Sequence, residues 1–426
     1  MTKITTNRLV LVGIGLFMTH LFTTTVHASN DFINNKQINN NQKIKIATFN
    51  VSMEALNYIP YHGKTAPKVT GNELQQALNN NHQQIKNIAE IIQRINPDII
   101  LLNEFDRTSK NHQEIKTFIQ KYLNVSQNEQ TPINFPYYFQ GSVNTGVKTP
   151  FDLNHNSIEG EVPQDTYGFG YFPGHYGMAL LSKHPIDTSH IRTFQLFKWR
   201  DMPNALEPFN PETKQSYYSA KAWNGFRLSS KSHWDIPVKI NNNVIHILAS
   251  HPTPPVFDGS EDRNGKRNHD EIRFWYDYIT PNKGTYIYDD NDKFGGLAQN
   301  NLNHNSQQRF IILGDQNASN IEGDAIHSGI NLLLTSKLIQ DANPKSLGAK
   351  AQSKNNINGE HHTASWGMRA DYILPSTFGL NIFQSGVFWP TMNDKTFRLI
   401  KDRAASSDHR LVWMDLNINN KNNALN

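Results

Sequence analysis

The chain of 426 residues contains no cysteine. It therefore forms no disulfide, offers no thiolate to zinc and has no sulfur nucleophile. Any metal must sit on oxygen and imidazole ligands. Charged residues are scarce at 18%, and hydrophobic residues make up 37%. That balance suits a soluble globular protein whose surface polarity comes largely from uncharged residues. Asparagine supplies much of it. NNKQINNN (34–41) and NINNKNNALN (417–426) cannot bury a core and read as a linker and a tail. Long apolar runs are missing too. LVLVGIGLF (9–17) is too short to span a bilayer comfortably, and no other run reaches membrane-helix length. No internal repeat is visible.

What is present begins with a targeting pattern. Lys3 and Arg8 precede the apolar run, and VHAS places small residues around a cleavage site after Ala28, with Val26 at the −3 position. The expectation is a secreted or periplasmic protein with a cleaved signal peptide; a short uncleaved anchor is the bland alternative. Removing Lys3 and Arg8 lowers the formal charge from +4 to +2. The pI of 8.9 is then only mildly basic, a weak pull toward polyanions.

Several short apolar runs end in a polar residue. KIKIATFN (43–50) alternates in the strand manner and ends at Asn50, and DIILLNEF (98–105) carries Glu104 near its end. VIHILASH (244–251) ends at His251, and FIILGDQN (310–317) ends in Asp315 and Asn317. RADYILPS (369–376) carries Asp371, and SSDHRLVWMDL (406–416) opens with Asp408 and His409. Short runs rich in Ile, Val and Leu are what buried strands require. Between the first two, Ile85, Ile88, Ile92 and Ile95 share one helical face, with Asn80 or Asn81 as cap and Pro97 as stop. NHDEIRFWYDYI (268–279) predicts a second helix. Strands alternating with helices imply a layered α/β domain. Length alone suggests two or three domains, but a single site shared by these runs would make most of the chain one domain. Residues 125–240 and 252–305 do not fit the alternation and read as long loops, which commonly carry function.

Taken singly, each polar residue at a strand end is an ordinary turn former. Taken together and in order, ATFNV, PDIILLNEFD, GMALLSKHPI, LASHPTPP, IILGDQNAS, RADYILPS and SSDHRLV resemble the endonuclease/exonuclease/phosphatase superfamily of metal-dependent phosphoesterases. The resemblance implies a four-layer α-β-β-α sandwich of two packed mixed β-sheets flanked by helices. It implies a signal peptide over 1–28, an Asn-rich linker over 29–42, the catalytic domain over 43–417 and a disordered tail over 418–426. It also implies roles. Glu104 would ligate Mg²⁺, with Mn²⁺ or Ca²⁺ as alternatives, and Asn50 and Asp408 would stand beside it. Asp315 would orient or deprotonate the attacking water, and Asn317 would donate to a phosphoryl oxygen. His409 would contact the phosphate, with Asp371 fixing its tautomer. His251 would contact the phosphate or protonate the leaving group, although no acidic partner for it is evident upstream. Tyr176 lies where other branches place an active-site aromatic or polar residue.

The substrate is a phosphoester, with nucleic acid among the candidates; the fold does not choose. Arg263, Lys266, Arg267, His269 and Arg273 sit in a segment expected to overhang the site, where they would bind phosphates. The bland reading is a solvated loop whose charges pair with Glu261, Asp262, Asp270 and Glu271. The aromatic stretches at 167–177 and 217–234 would stack bases or form a satellite core. A sphingomyelinase-type lipid esterase and a non-catalytic binding module are the alternative readings. The first lacks a visible apolar hairpin, and the second has no need of the full polar set.

Overall fold

A computed structural model describes residues 42–59, 68–297 and 307–419. The apolar segment at 9–17 and the cleavage site after Ala28 lie outside these residues, as does most of the linker and tail.

The apolar runs are strands of two sheets. β1 (Gln42–Met53), β2 (Ile99–Phe105), β3 (Tyr137–Phe139), β4 (Met178–Ser182), β10 (Leu380–Val387) and β11 (Val412–Ile418) form a six-stranded sheet in the order β10-β11-β1-β2-β4-β3. β5 (Arg192–Thr193), β6 (His233–Ile240), β7 (Asn243–Ser250), β8 (Arg309–Asp315) and β9 (Asp371–Pro375) form a five-stranded sheet in that order. Both sheets are mixed. The pairs β1/β2 and β7/β8 are parallel, and the other neighbours are antiparallel. Gln42 pairs with Ile418, so the folded region runs one residue past 43 and 417 at either end. The ladder there needs both residues.

Strand periodicity shows how the layers stack. In β7, Ile245, Ile247 and Ala249 belong to the core shared with the six-stranded sheet, while Leu248 packs into a second core. In β8, Ile311 and Leu313 face one way, Phe310 and Ile312 the other. Successive side chains on a strand alternate faces, so the five-stranded sheet is covered on both sides. The second core also takes Ile272 and Trp275 of α5 (Arg263–Ile279) and Ile330 and Leu333 of α6 (Ser328–Leu334). It takes Ala222 of α4 (Ala220–Gly225) as well. The first core takes Leu74 of α1 (Glu73–Asn79), Ile85, Ile88 and Ile92 of α2 (Gln83–Ile95), and Ile115 and Phe118 of α3 (Gln113–Phe118). The short α7 (Leu347–Gln352) adds Ala349. The result is the expected α-β-β-α sandwich. Truncating a buried isoleucine such as Ile88 to alanine would cost about 2–5 kcal/mol, the usual range for a core deletion.

Both expected helices form, with altered ends. α2 starts after His82, not Asn80 or Asn81, because Asn81 adopts a left-handed φ of 55° in the turn from α1. Its C-terminus is closed by Asn96 at φ 52°, a left-handed stop, directly before Pro97. α5 begins at Arg263, five residues ahead of its expected start, and its predominantly polar first turns are buried all the same. Tertiary contacts there override a sequence that looks solvated. The aromatic stretch at 217–234 went the commoner way: Tyr218, Phe226 and Leu228 fill the second core.

Candidate active site

Each parallel strand pair ends at the same edge of its sheet. β1 and β2 deliver Asn50 and Glu104 there; β7 and β8 deliver His251 and Asp315. The two edges are tied together by Asn103, whose Oδ1 accepts the Asp315 N–H at 3.2 Å and whose Nδ2 donates to the Ser250 carbonyl at 3.4 Å. Gly314 makes the approach possible. A Cβ there would lie 2.1 Å from the Ser250 carbonyl oxygen, and its φ is 139°. Only glycine fits both conditions.

Asp315 is the point of convergence. Its Oδ2 accepts from Asn50 Nδ2 at 3.1 Å and lies 3.4 Å from Nε2 of both His251 and His409. Its Oδ1 accepts the Asn317 N–H at 2.8 Å. The β8/β9 register sets Asp315 directly opposite Asp371, an arrangement that repels when both are ionised. His409 resolves it: Nδ1 is 2.9 Å from Asp371 Oδ2 while Nε2 faces Asp315. Thr363 Oγ1 donates to the same Asp371 oxygen at 2.7 Å. Burial opposes a charged imidazole, but Asp371 and then Asp315 outweigh it and raise His409 to about 10. Burial, aided by Asp371, pushes Asp315 up to about 6 although His409 pulls it back. The pair is thus an imidazolium flanked by carboxylates, one of them poised to take a proton near neutral pH.

The other end of the floor is short of positive charge. Burial, then Asp408, then Glu54 push Glu104 up to about 7. Glu54 is itself held by His175 Nε2 at 3.1 Å and by the Leu56 N–H at 2.8 Å. Asp408 accepts from Ser52 Oγ at 3.3 Å, and Arg403 reaches its other oxygen only at 3.5 Å. Carboxylates crowded this way, with oxygen donors alone, fit a hard divalent cation. Asn50 hydrogen-bonds Glu104 as well as Asp315 and so spans both ends. Ligand atoms of Asp315, Asp371 and His409 also lie within 4.8 Å of one another. Those atoms already face each other as carboxylate and imidazole, so the Glu104–Asp408 end suits a cation better. Backbone strain gathers here as well. Ser52, Glu104, Tyr176 and Asn317 have φ of 46°, 54°, 53° and 49°, a left-handed region that costs a non-glycine residue free energy and that clusters at functional sites.

The structure refines several expected roles. Asn317 donates one carboxamide N–H to the Pro252 carbonyl at 3.1 Å, which leaves the second for a substrate oxygen. His251 Nδ1 is buried without a hydrogen-bond partner among the described residues, so no carboxylate supports it. Burial, Lys231 and His409 drive its pKa well below the usual value. Its charged form is disfavoured, which weighs against the leaving-group acid role. Tyr176 stacks on His175 with ring centroids 3.8 Å apart and lies beside Glu54 and Glu104.

The expected phosphate-binding arginines are committed elsewhere. Arg267 is buried and donates to the backbone carbonyls of Leu228, Tyr167 and Arg227. Arg273 caps the carbonyls of Pro203 and Asn204, and Arg263 pairs with Glu261 and the Phe257 carbonyl. The segment is a helix packed on its neighbours, where a guanidinium satisfies buried carbonyls. Sequence reading missed Asn103, Glu54, Asp106, His175, Thr363 and Lys231. Asp106 follows Glu104 in NEFD and accepts the Tyr176 and Ala55 N–H groups at 2.8 Å each; that spacing was the one visible signal. Trp366, 52% exposed, sets its ring edge-on to His409 with centroids 4.8 Å apart.

Comparison with known proteins gives the chain's family. The model of the Endonuclease/Exonuclease/phosphatase family matches residues 47–409. A comparison with curated proteins found no match. Among solved structures, an endonuclease/exonuclease/phosphatase from Beutenbergia cavernae is similar at 14% identity and a TM-score of 0.47, covering 88% of this chain and 72% of its own. The human Nocturnin catalytic domain with bound sulfate is similar at 14% identity and a TM-score of 0.41, over 88% and 94%. TDP2 from Caenorhabditis elegans is similar at 12% identity and a TM-score of 0.39, over 88% and 74%. The family match spans most of the chain and carries the assignment: this protein belongs to the endonuclease/exonuclease/phosphatase family and is a metal-dependent phosphoric ester hydrolase.

Proposed function

We propose that the protein is an exported, Mg²⁺-dependent phosphodiesterase that attacks phosphorus with a water activated by Asp315, with nucleic acid among its substrates. The observation that carries the reading is the position of Asp315 Oδ2, shared by Asn50, His251 and His409 at 3.1–3.4 Å. A carboxylate raised to about 6 accepts a proton well at neutral pH. As Asp315 takes the water's proton, the water oxygen bonds phosphorus and the P–O bond to the alkoxide breaks on the opposite side. His409, held protonated by Asp371, donates to a phosphoryl oxygen, and the free Asn317 N–H and neutral His251 donate to others. A divalent cation held by Glu104, Asp408 and Asn50 would neutralise charge on the phosphoryl group. Mg²⁺ is the ion best matched to few carboxylate ligands and retained water. In this reading the segment 1–28 is removed on export, and 42–418 is the catalytic domain.

The test is an assay of purified protein with Mg²⁺ and with EDTA on bis-p-nitrophenyl phosphate, p-nitrophenyl phosphate, plasmid DNA and sphingomyelin. Mg²⁺-dependent release from the diester, with plasmid nicking, is the expected result. Preference for the monoester or for sphingomyelin overturns the diesterase reading, and inactivity on all four overturns the catalytic one.

A further inference from the structure

Lys231 has no role in the chemistry above, yet it occupies an improbable place for a lysine. It is 5% exposed, and lysine is almost never so buried unless paired. Among the described residues its ammonium makes no hydrogen bond or ion pair, and Nζ is not one of the buried unpartnered atoms, so the stem is buried while the tip reaches solvent. The remaining residues contribute a single acidic side chain, Asp31. A lysine with its stem buried and its ammonium free of protein partners is placed to meet an anion that arrives from outside.

Its placement says where the anion arrives. Lys231 lies two residues before His233, which pairs with Ser250 where β6 begins and β7 ends. That edge is where His251 emerges. Ser230 Oγ donates to the His251 carbonyl at 3.4 Å, binding the two segments side by side. The carboxylate that acts on it most strongly, Glu271, is already engaged: its oxygens take the Ser230 and Thr253 N–H groups at 2.6 Å each. The electrostatics agree. Lys231 lowers the proton affinity of His251, and its own titration feels Glu271, Glu104 and Asp315. The ammonium is therefore close enough to the floor of the site to act on its carboxylates and on His251.

We propose that Lys231 is a catalytic residue whose ammonium binds a non-bridging oxygen of the scissile phosphate on the His251 side of the site. The proposal rests on the phosphoesterase reading. It completes the charge balance around phosphorus: a cation, an imidazolium and an ammonium. No covalent step involves it.

The experiment uses Lys231→Met and Lys231→Arg with two readouts. The first is kcat/KM on bis-p-nitrophenyl phosphate, which has one phosphate only. Lys231→Met is expected to lose about 100-fold, the usual effect of removing one donor to a developing oxyanion, and Lys231→Arg to recover at least about a tenth of wild-type activity. The second is the melting temperature with Mg²⁺, with and without inorganic phosphate. Lys231→Met should melt near the wild-type temperature, because the ammonium bonds nothing in the folded protein, and should lose the stabilisation that phosphate confers on wild type. Near-wild-type activity in Lys231→Met overturns the proposal. So does a parallel fall of melting temperature and activity that arginine does not rescue, which would mark a structural lysine. If wild type hydrolyses none of the phosphoesters, the reading of function fails on its own. The phosphate-induced shift then still decides whether Lys231 holds an anion.

Discussion

The two parallel strand pairs, one in each sheet, do the same job with opposite electrostatics. β7/β8 sets Asp315 among two histidines, and the imidazolium of His409 bridges Asp315 and Asp371, offsetting one of the two charges within the protein itself. β1/β2 sets Glu104 beside Asp408 and Glu54, and burial plus like charge leave it raised to about 7 although His409 pulls it back. One edge carries a counter-charge of its own as folded. The other relies on an added cation. A site assembled from a countered half and a deficient half separates proton transfer from charge neutralisation, and each half can be tested alone.

The strongest challenge goes to the countered half. Asp315→Asn keeps the shape and removes the base, so kcat on bis-p-nitrophenyl phosphate should fall by about 1,000-fold with the melting temperature near wild type. A loss smaller than about tenfold would remove Asp315 from proton transfer. For the deficient half, Glu104→Gln should lose about 100-fold and shift the Mg²⁺ requirement to higher concentration. An unchanged Mg²⁺ dependence would place the cation elsewhere.

The contrast also predicts how stability follows pH. Asp315 is raised from 3.8 to about 6 and Glu104 from 4.5 to about 7, both chiefly by burial. Raised acids oppose folding once ionised. Their penalty is absent below the unfolded values and complete above the folded ones. His409, raised from 6.5 to about 10 by Asp371 and Asp315 against burial, stabilises fully below 6.5 and loses that contribution as pH climbs toward 10. All of these act in one direction. In EDTA the melting temperature should therefore fall between pH 5 and pH 8, and Mg²⁺ should restore it more at pH 8 than at pH 5. Equal Mg²⁺ stabilisation at both values would contradict the idea of a carboxylate-rich, cation-dependent end.

The smallest expected change in catalysis comes from Arg267→Met, remote in role though buried. It orphans the carbonyls of Leu228, Tyr167 and Arg227, so unfolding by urea should show a loss of about 2–4 kcal/mol. Turnover per folded molecule should stay within about threefold. A larger effect on KM would return this arginine to substrate binding.

Much of this was legible in the order of residues. Asn50, Glu104, His251, Asp315 and Asp371 stand in or beside runs of Ile, Val and Leu that buried strands demand, and the structure brings those strand edges together. The isoleucines of α2 announced their helix through spacing alone. By contrast, β6 and β10 were not read as strands: HWDIPVKI alternates cleanly but carries Pro237 inside the run, and LNIFQSGV mixes polar and apolar residues with little alternation. The arginines of α5 misled for a related reason. A guanidinium binds a phosphate and a buried carbonyl with the same N–H groups, and sequence does not say which is near.

The sequence by itself determined the covalent limits and the local frames: no thiol chemistry, strands that end in carboxylates and imidazoles, and a glycine at 314 where two backbones nearly touch. Only the tertiary structure decided the states of those groups. His409 is charged because β8/β9 pairing sets Asp371 across from Asp315, and Glu104 is raised because distant segments bring Asp408 and Glu54 beside it. Proton affinity depends on burial and on neighbouring charge, and both are properties of assembled space that chain order does not contain.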